Sequence, residues 1–146
     1  MSLQWQLARQ VPDDTAQLGQ TLLAPENVYR QIGDRFDELF PTDGFFADLY
    51  ETTGRGAISP VLLAVVTVLQ MLEKTPDRQA AEWAVSRIDW KYALHLPLTY
   101  TGFHFTDLYA FRGRLLAHQQ ERQLFDAVLG KLKALGLIKR RGKMRT

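Results

Sequence analysis

The chain has 146 residues, 46% of them hydrophobic and 23% charged, and contains no cysteine. That length suits one domain with one core, and the missing thiols exclude disulfides and thiolate ligands or nucleophiles, so stability must come from packing. The net charge of +2 conceals opposite halves: residues 1–74 carry five basic against ten acidic residues, net −5, and residues 75–146 carry thirteen against six, net +7. A basic half is the electrostatic footprint of a nucleic-acid binder, although a solvated basic face is the commoner meaning of such a bias.

Residues 1–24 show no sustained period and are expected to form an irregular N-terminal arm, with Pro12-Asp13-Asp14 as a turn or helix start. The arm lacks the basic-then-apolar order of a secretory signal, which points to the cytoplasm. From about Pro25 to Phe40, Val28, Ile32, Phe36, Leu39 and Phe40 recur at helical spacing opposite Arg30, Asp34, Asp37 and Glu38, predicting one amphipathic helix ended by Pro41. Phe45, Phe46, Leu49 and Tyr50 in FFADLYE predict a short helix whose aromatics pack on the centre of the fold. Gly54-Arg55-Gly56 has no preceding strand, third glycine or following Lys-Ser/Thr, so it reads as a flexible turn rather than a phosphate loop.

Ser59 to Leu72 is the most apolar stretch, interrupted only by Thr67 and Gln70, and predicts a buried central helix capped by Ser59 with Pro60 at its first position. It is too short for a bilayer span of ~20 residues, and charges follow at once. Thr75-Pro76 repeats the start signal for an amphipathic helix with Ala80, Ala81, Ala84, Val85 and Ile88 on its apolar side. Two helices joined by so tight a turn form either a helical hairpin or a helix-turn-helix core, and the pattern alone does not separate them.

Asp89 is placed to cap a short helix in WKYALHL, and Pro97 to Phe105 reads as an extended, strand-like loop. Thr106-Asp107 opens a helix with Leu108, Phe111 and Leu115 inward and Ala110, Gly113 and Ala117 outward. A glycine there costs ~1 kcal/mol relative to alanine, which suggests close approach of another helix or of a nucleic-acid backbone. The last helix, about Glu121 to Leu135, carries Leu124, Phe125, Val128, Leu129, Leu132 and Leu135 inward and ends at Gly136. Basic residues then crowd the tail 139–146, a solvated linker or a nucleic-acid contact. The fold class expected is all-α, about six helices with a helix-turn-helix-like core around the buried helix.

His95, His104 and His118 match no metal motif, and the carboxylates lie scattered over caps and polar faces, so no active site and no metal or other cofactor is assigned to this chain.

In order, GRGAISP, KTPDRQAAE, IDWKYALHLPL, FTDLYAFRGRL and LFDAVLGKLKALGLI resemble the N-terminal domain of bacterial insertion-sequence transposases of the DDE type, over about residues 25–146. The resemblance implies a helical domain, residues 25–138, that recognises the terminal inverted repeats of the element. It also implies a ribonuclease-H-like catalytic domain with a metal-binding Asp, Asp, Glu triad beyond a linker opened by the tail. The sequence stops at Thr146 and no triad residue carries over, so the expectation is a DNA-binding fragment that is not an enzyme alone. A divalent metal is expected only for the missing catalytic domain.

Arg78 matches the family's Asp-Arg helix start, and Arg112 and Arg114 match its Phe-Arg-x-Arg-Leu. With Arg87, Lys91, Lys139, Arg140, Arg141, Lys143 and Arg145 they are the candidate contacts to double-stranded DNA; for Arg112 and Arg114 a fold-holding ion pair is an equal alternative. Two other readings compete, an oligomerisation module pairing this chain with itself or with full-length transposase, and a remnant without a role. No membrane partner is expected.

Overall fold

The computed structural model describes residues 7–41, 45–46 and 58–138. Eight helices follow in order: α1 (Asp13–Leu22), α2 (Val28–Asp34), α3 (Phe36–Leu39), α4 (Pro60–Glu73), α5 (Asp77–Ser86), α6 (Ile88–Ala93), α7 (Thr106–Ala117) and α8 (Glu121–Ala134). The fold is all-α, with no strand among the described residues. Pro97 to Phe105, expected to be strand-like, instead opens with a turn in which Tyr100 N–H donates to Pro97 O at 3.1 Å.

The central helix is α4. Ser59 caps it through its side-chain oxygen, which accepts from Leu62 N–H at 3.3 Å, and Pro60 holds the first helical position where no N–H is needed. Every residue from Val61 to Gln70 is buried, while Met71 emerges to 41% exposure. The two polar interruptions bond locally: Thr67 donates its hydroxyl to Leu63 O, and Gln70 donates its amide to Thr75 O and Asp77 Oδ1. Gln70 thereby fastens the three-residue turn between α4 and α5.

That turn does not copy the Ser59-Pro60 start. Pro76 occupies the cap position itself, α5 begins at Asp77, and no side chain caps it. Lys74 takes a left-handed backbone, φ 56°, and lets both its own N–H and that of Thr75 reach Gln70 O. On α5, Ala80 and Ala84 are buried as expected, but Val85 is 40% exposed.

The expected irregular arm contains α1, which packs against α6. Apolar periodicity could not reveal it, because its buried positions are Thr15 and Gly19 while Leu18 and Leu22 face outward. Thr15 donates to Leu96 O at 2.5 Å, and Gly19 leaves room for the ring of Tyr92. The single helix expected over residues 25–40 is broken at Arg35. In an unbroken helix Gly33 O would accept from the N–H four residues on. Here it accepts from His95 Nε2 at 2.7 Å, while Nδ1 of the same buried ring faces Ala8 O at 2.8 Å.

Asp89 lies inside α6 rather than before it, with Arg87 at the cap position. Phe46 is buried with its ring 5.7 Å from that of Phe111 on α7, whereas Phe45 stays 39% exposed; the rest of FFADLYE and Gly54-Arg55-Gly56 lie outside the described residues. α8 packs on α3 and α7 and closes as predicted. Gly136 adopts φ 76°, and the N–H groups of Gly136 and Leu137 return to Lys133 O and Leu132 O. Leu135, expected inward, is exposed.

Candidate nucleic-acid interface

The sequence-predicted cations divide by what their side chains touch. Arg87, at the junction of α5 and α6, is held in a box. Its guanidinium reaches Glu73 at 3.0 Å and Asp89 at 2.7 Å, and lies 4.5 Å from the Trp83 ring centroid, with Tyr29 and Trp90 beyond. Glu73 also accepts from Tyr29 OH and from Trp90 Nε1. Burial works against both charges, yet the hydrogen bonds outweigh it: Asp89 and Glu73 push the Arg87 pKa up, and Arg87, Tyr29 and Trp90 hold the Glu73 carboxyl below its ordinary value. Such a cluster ties α2, α4, α5 and α6 together.

Lys91 is withdrawn from the surface. It is 5% exposed, its Nζ has no hydrogen-bond partner, and the nearest aromatic face is Tyr100 at 5.7 Å. Burial pushes its pKa down, with Asp14 pulling weakly the other way.

Arg112 crosses from α7 to α5 and meets Asp77 through two parallel hydrogen bonds, 3.0 Å to Oδ1 and 2.8 Å to Oδ2. The Asp77 carboxyl is held below its ordinary value first by Arg112, against its burial, and further by Gln70. Arg78, the next residue of α5, is exposed and lays its guanidinium 4.1 Å above the Phe105 ring, which in turn stacks with His104 at 4.6 Å. Arg114 lies half-buried further along α7. Lys139, Arg140, Arg141, Lys143 and Arg145 lie outside the described residues.

The structure therefore places Arg78 against Phe105 at the start of α7 and Arg112, further along α7, against Asp77 of α5, while Arg87 is partly exposed but committed to its acidic partners and Lys91 is buried. To this corner it adds Lys74, exposed on the α4–α5 turn and absent from the sequence-predicted contacts. The only sequence signal for Lys74 was its place between two helix starts. Among the described residues nothing makes the expected close approach to Gly113: a Cβ there would meet none of them within 4 Å. Among the described residues no three His, Asp or Glu side chains gather to hold a metal, and no helix is long and apolar enough to cross a membrane.

A family model described as a transposase domain (DUF772) matches residues 17–114, from the middle of α1 to Arg114 on α7. The chain belongs to the DUF772 transposase domain family. Its family-defining region thus contains the whole α4–α5 turn and the α5–α7 corner, while α8 lies beyond the match. No curated protein and no solved structure matches this transposase domain.

Proposed function

We propose that this transposase domain binds double-stranded DNA at the ends of its element, presenting the corner of α5 and α7 to the duplex. The observation that carries the reading is the exposed Arg78 guanidinium stacked on Phe105, with exposed Lys74 on the turn that precedes α5, at the edge of the half of the chain that holds thirteen basic residues against six acidic. Lys74, Arg78, Arg114 and the five tail cations are the proposed contacts; Arg87, Arg112 and Lys91 serve the fold. Contacts to phosphate set affinity and register, and base edges set choice of sequence. No catalytic step and no cofactor is assigned to these residues.

The test is fluorescence anisotropy with element-end DNA and scrambled DNA at several salt concentrations. Neutralising the five tail residues should weaken both complexes by similar factors and flatten the log–log salt slope by ~0.9 per lost contact. Arg78→Ala should weaken the element-end complex while leaving the melting temperature within a few degrees. Equal, salt-independent binding of both DNAs by every variant would overturn the proposal.

A second reading rests on the outward side of α7, where Tyr109 is 75% and Leu116 60% exposed and Gly113 stands open between them. An unpaired apolar stripe of this kind suits subunit pairing. Light scattering separates the readings: a dimer broken by Leu116→Glu, with DNA affinity per subunit retained, would favour pairing.

A further inference from the structure

Just beyond the end of α6, His95 takes a left-handed backbone, φ 58°, a conformation that crowds the Cβ of any residue but glycine. Its ring is buried, and each ring nitrogen meets a backbone oxygen: Nε2 lies 2.7 Å from Gly33 O at the α2–α3 break, and Nδ1 lies 2.8 Å from Ala8 O on the segment ahead of α1. A carbonyl oxygen can only accept. A neutral imidazole has one N–H and one lone pair, so at one of these contacts it would set lone pair against lone pair, whereas an imidazolium donates at both. Turning the ring over offers no escape, because a ring carbon would then face each oxygen.

The surroundings favour the charge. The Phe36 ring lies 4.2 Å from the imidazole, centroid to centroid, within the range over which an aromatic ring attracts a cation. A cavity of about 590 Å³ beside the ring is lined by Asp13 of α1, Asp34 of α2, and Asp37 and Glu38 of α3, against Arg9 and Arg35: four carboxylates and two guanidinium groups, formal net −2. Arg9 pairs with Asp37 and Arg35 with Glu38, while Tyr92 of α6 donates its hydroxyl to Asp34. Elsewhere on or beside α6, Lys91 turns to Tyr100 and Arg87 to its acidic box.

The two carbonyls are not held alike. Gly33 is buried between α2 and α6, but Ala8 is exposed, and its segment is otherwise held by the buried Leu7 and by the open surface pair of Arg9 and Asp37. We propose that His95 is a proton-operated latch. As imidazolium it ties residues 7–11 to the α2–α3 break; on giving one proton to solvent it keeps Nε2–H on Gly33 O and releases Ala8. Release draws back the wall of the cavity that Arg9, Gln10 and Val11 form. The latch stands independently of the DNA-binding reading.

The test is carbon-detected NMR of the full chain, with ring nitrogen shifts followed across about pH 5 to 9 and the exposed His104 and His118 assigned by replacing each with glutamine. At the acid end both nitrogens of His95 should be protonated. As pH rises, Nδ1 should lose its proton while Nε2 keeps its own. In the same step the Ala8 carbonyl carbon should lose its hydrogen-bonded shift and residues 7–11 should gain motion by relaxation, with the Gly33 carbonyl unchanged. Three outcomes would each overturn the latch: a ring with one proton at the acid end, a ring that keeps both until the domain unfolds, or an Ala8 carbonyl that does not follow the ring. His95→Gly suits the left-handed backbone and should free residues 7–11 at every pH. The segment remaining ordered in that variant would also overturn it, and if the variant does not fold, the wild-type titration decides.

Discussion

A methyl group added to Gly33 on α2 would stand 2.5 Å from the carbonyl oxygen of Tyr92 on α6 and 2.6 Å from its ring. On the other side of that ring, a Cβ on Gly19 of α1 would come within 2.3 Å. The two glycines form the slot that lets Tyr92 bury its ring completely while its hydroxyl donates to Asp34 at 2.6 Å. Backbone oxygen does not give way as a flexible side chain does. Gly33→Ala should therefore destabilise by about 2–4 kcal/mol, in the upper range for overpacking and the loss of a buried contact.

Gly113 on α7 supplies the control for that prediction. It is exposed, mid-helix and clear of its neighbours among the described residues, so Gly113→Ala should stabilise by about 0.5–1 kcal/mol through helix propensity alone. Urea midpoints of the two variants, measured side by side, should move in opposite directions. A lower midpoint for Gly113→Ala at a protein concentration where the wild type is dimeric would indicate that a second subunit occupies this face.

Lys91 predicts a pH dependence. Its folded pKa is depressed by burial below the ordinary lysine value of 10.5, so the unfolded chain binds more protons between the two values and stability rises with pH across that window. Below the folded pKa the full cost of burying an unpaired ammonium remains. Lys91→Met should then be more stable than the wild type by about 1–3 kcal/mol near neutrality, the advantage shrinking as pH rises through the depressed folded pKa toward the ordinary value of 10.5. Tyr100 titrates in the same alkaline range with the opposite sign, so a Tyr100→Phe background isolates the lysine. Burial raises the pKa of Tyr100 to about 12, so its contribution falls with pH once the unfolded tyrosine begins to ionise.

The all-α class, the Ser59 cap, the inward face of α7 and the Gly136 ending were legible because each depends on residues within a turn or two of one another. α1 escaped because Thr15 and Gly19 are chosen for a hydroxyl donor and for space, and neither leaves a hydrophobic period. The break at Arg35 escaped because its cause, His95, is 62 residues from Gly33. The same distance obscured the site. Arg87 and Arg112 are conspicuous as charges, but Asp77 lies 35 residues from Arg112, and nothing local distinguishes a cation committed to such a partner from one facing solvent. Arg78 stood out through its place in the helix start, and Lys74 gained meaning only from the turn it forms.

Lys74 carries a conformational cost that can be measured. A lysine at φ 56° has its Cβ crowded against the following backbone, whereas glycine occupies this region freely. Lys74→Gly should raise stability by about 0.5–1 kcal/mol, net of the added freedom glycine gives the unfolded chain. Because Lys74 is exposed beside the proposed DNA-binding corner, the same variant should bind element-end DNA more weakly and flatten its log–log salt slope. Higher melting temperature with lower affinity would separate a residue kept for binding from one kept for folding.

The Arg112–Asp77 pair yields the prediction that decides between the two readings of that arginine. Both side chains are about one quarter exposed and the geometry is bidentate, so Arg112→Ala should cost about 1–2 kcal/mol, more than an open surface pair but less than a fully buried one. Arg112→Lys should recover only part of this, since one ammonium cannot reproduce two parallel bonds. Asp77 has its folded pKa lowered from 3.8, so the stability it contributes is fully present above that value and disappears as pH falls through the folded pKa. The difference in melting temperature between the wild type and Arg112→Ala should hold steady from pH 7 to pH 5 and narrow toward pH 3. On DNA, an arginine already spent on Asp77 predicts an unchanged salt slope for Arg112→Ala under conditions where that variant is folded. Asp77→Ala, which frees the guanidinium, should instead steepen the slope by up to ~0.9. A slope that flattens in Arg112→Ala while the melting temperature stays at the wild-type value would make Arg112 a DNA contact and remove it from the fold.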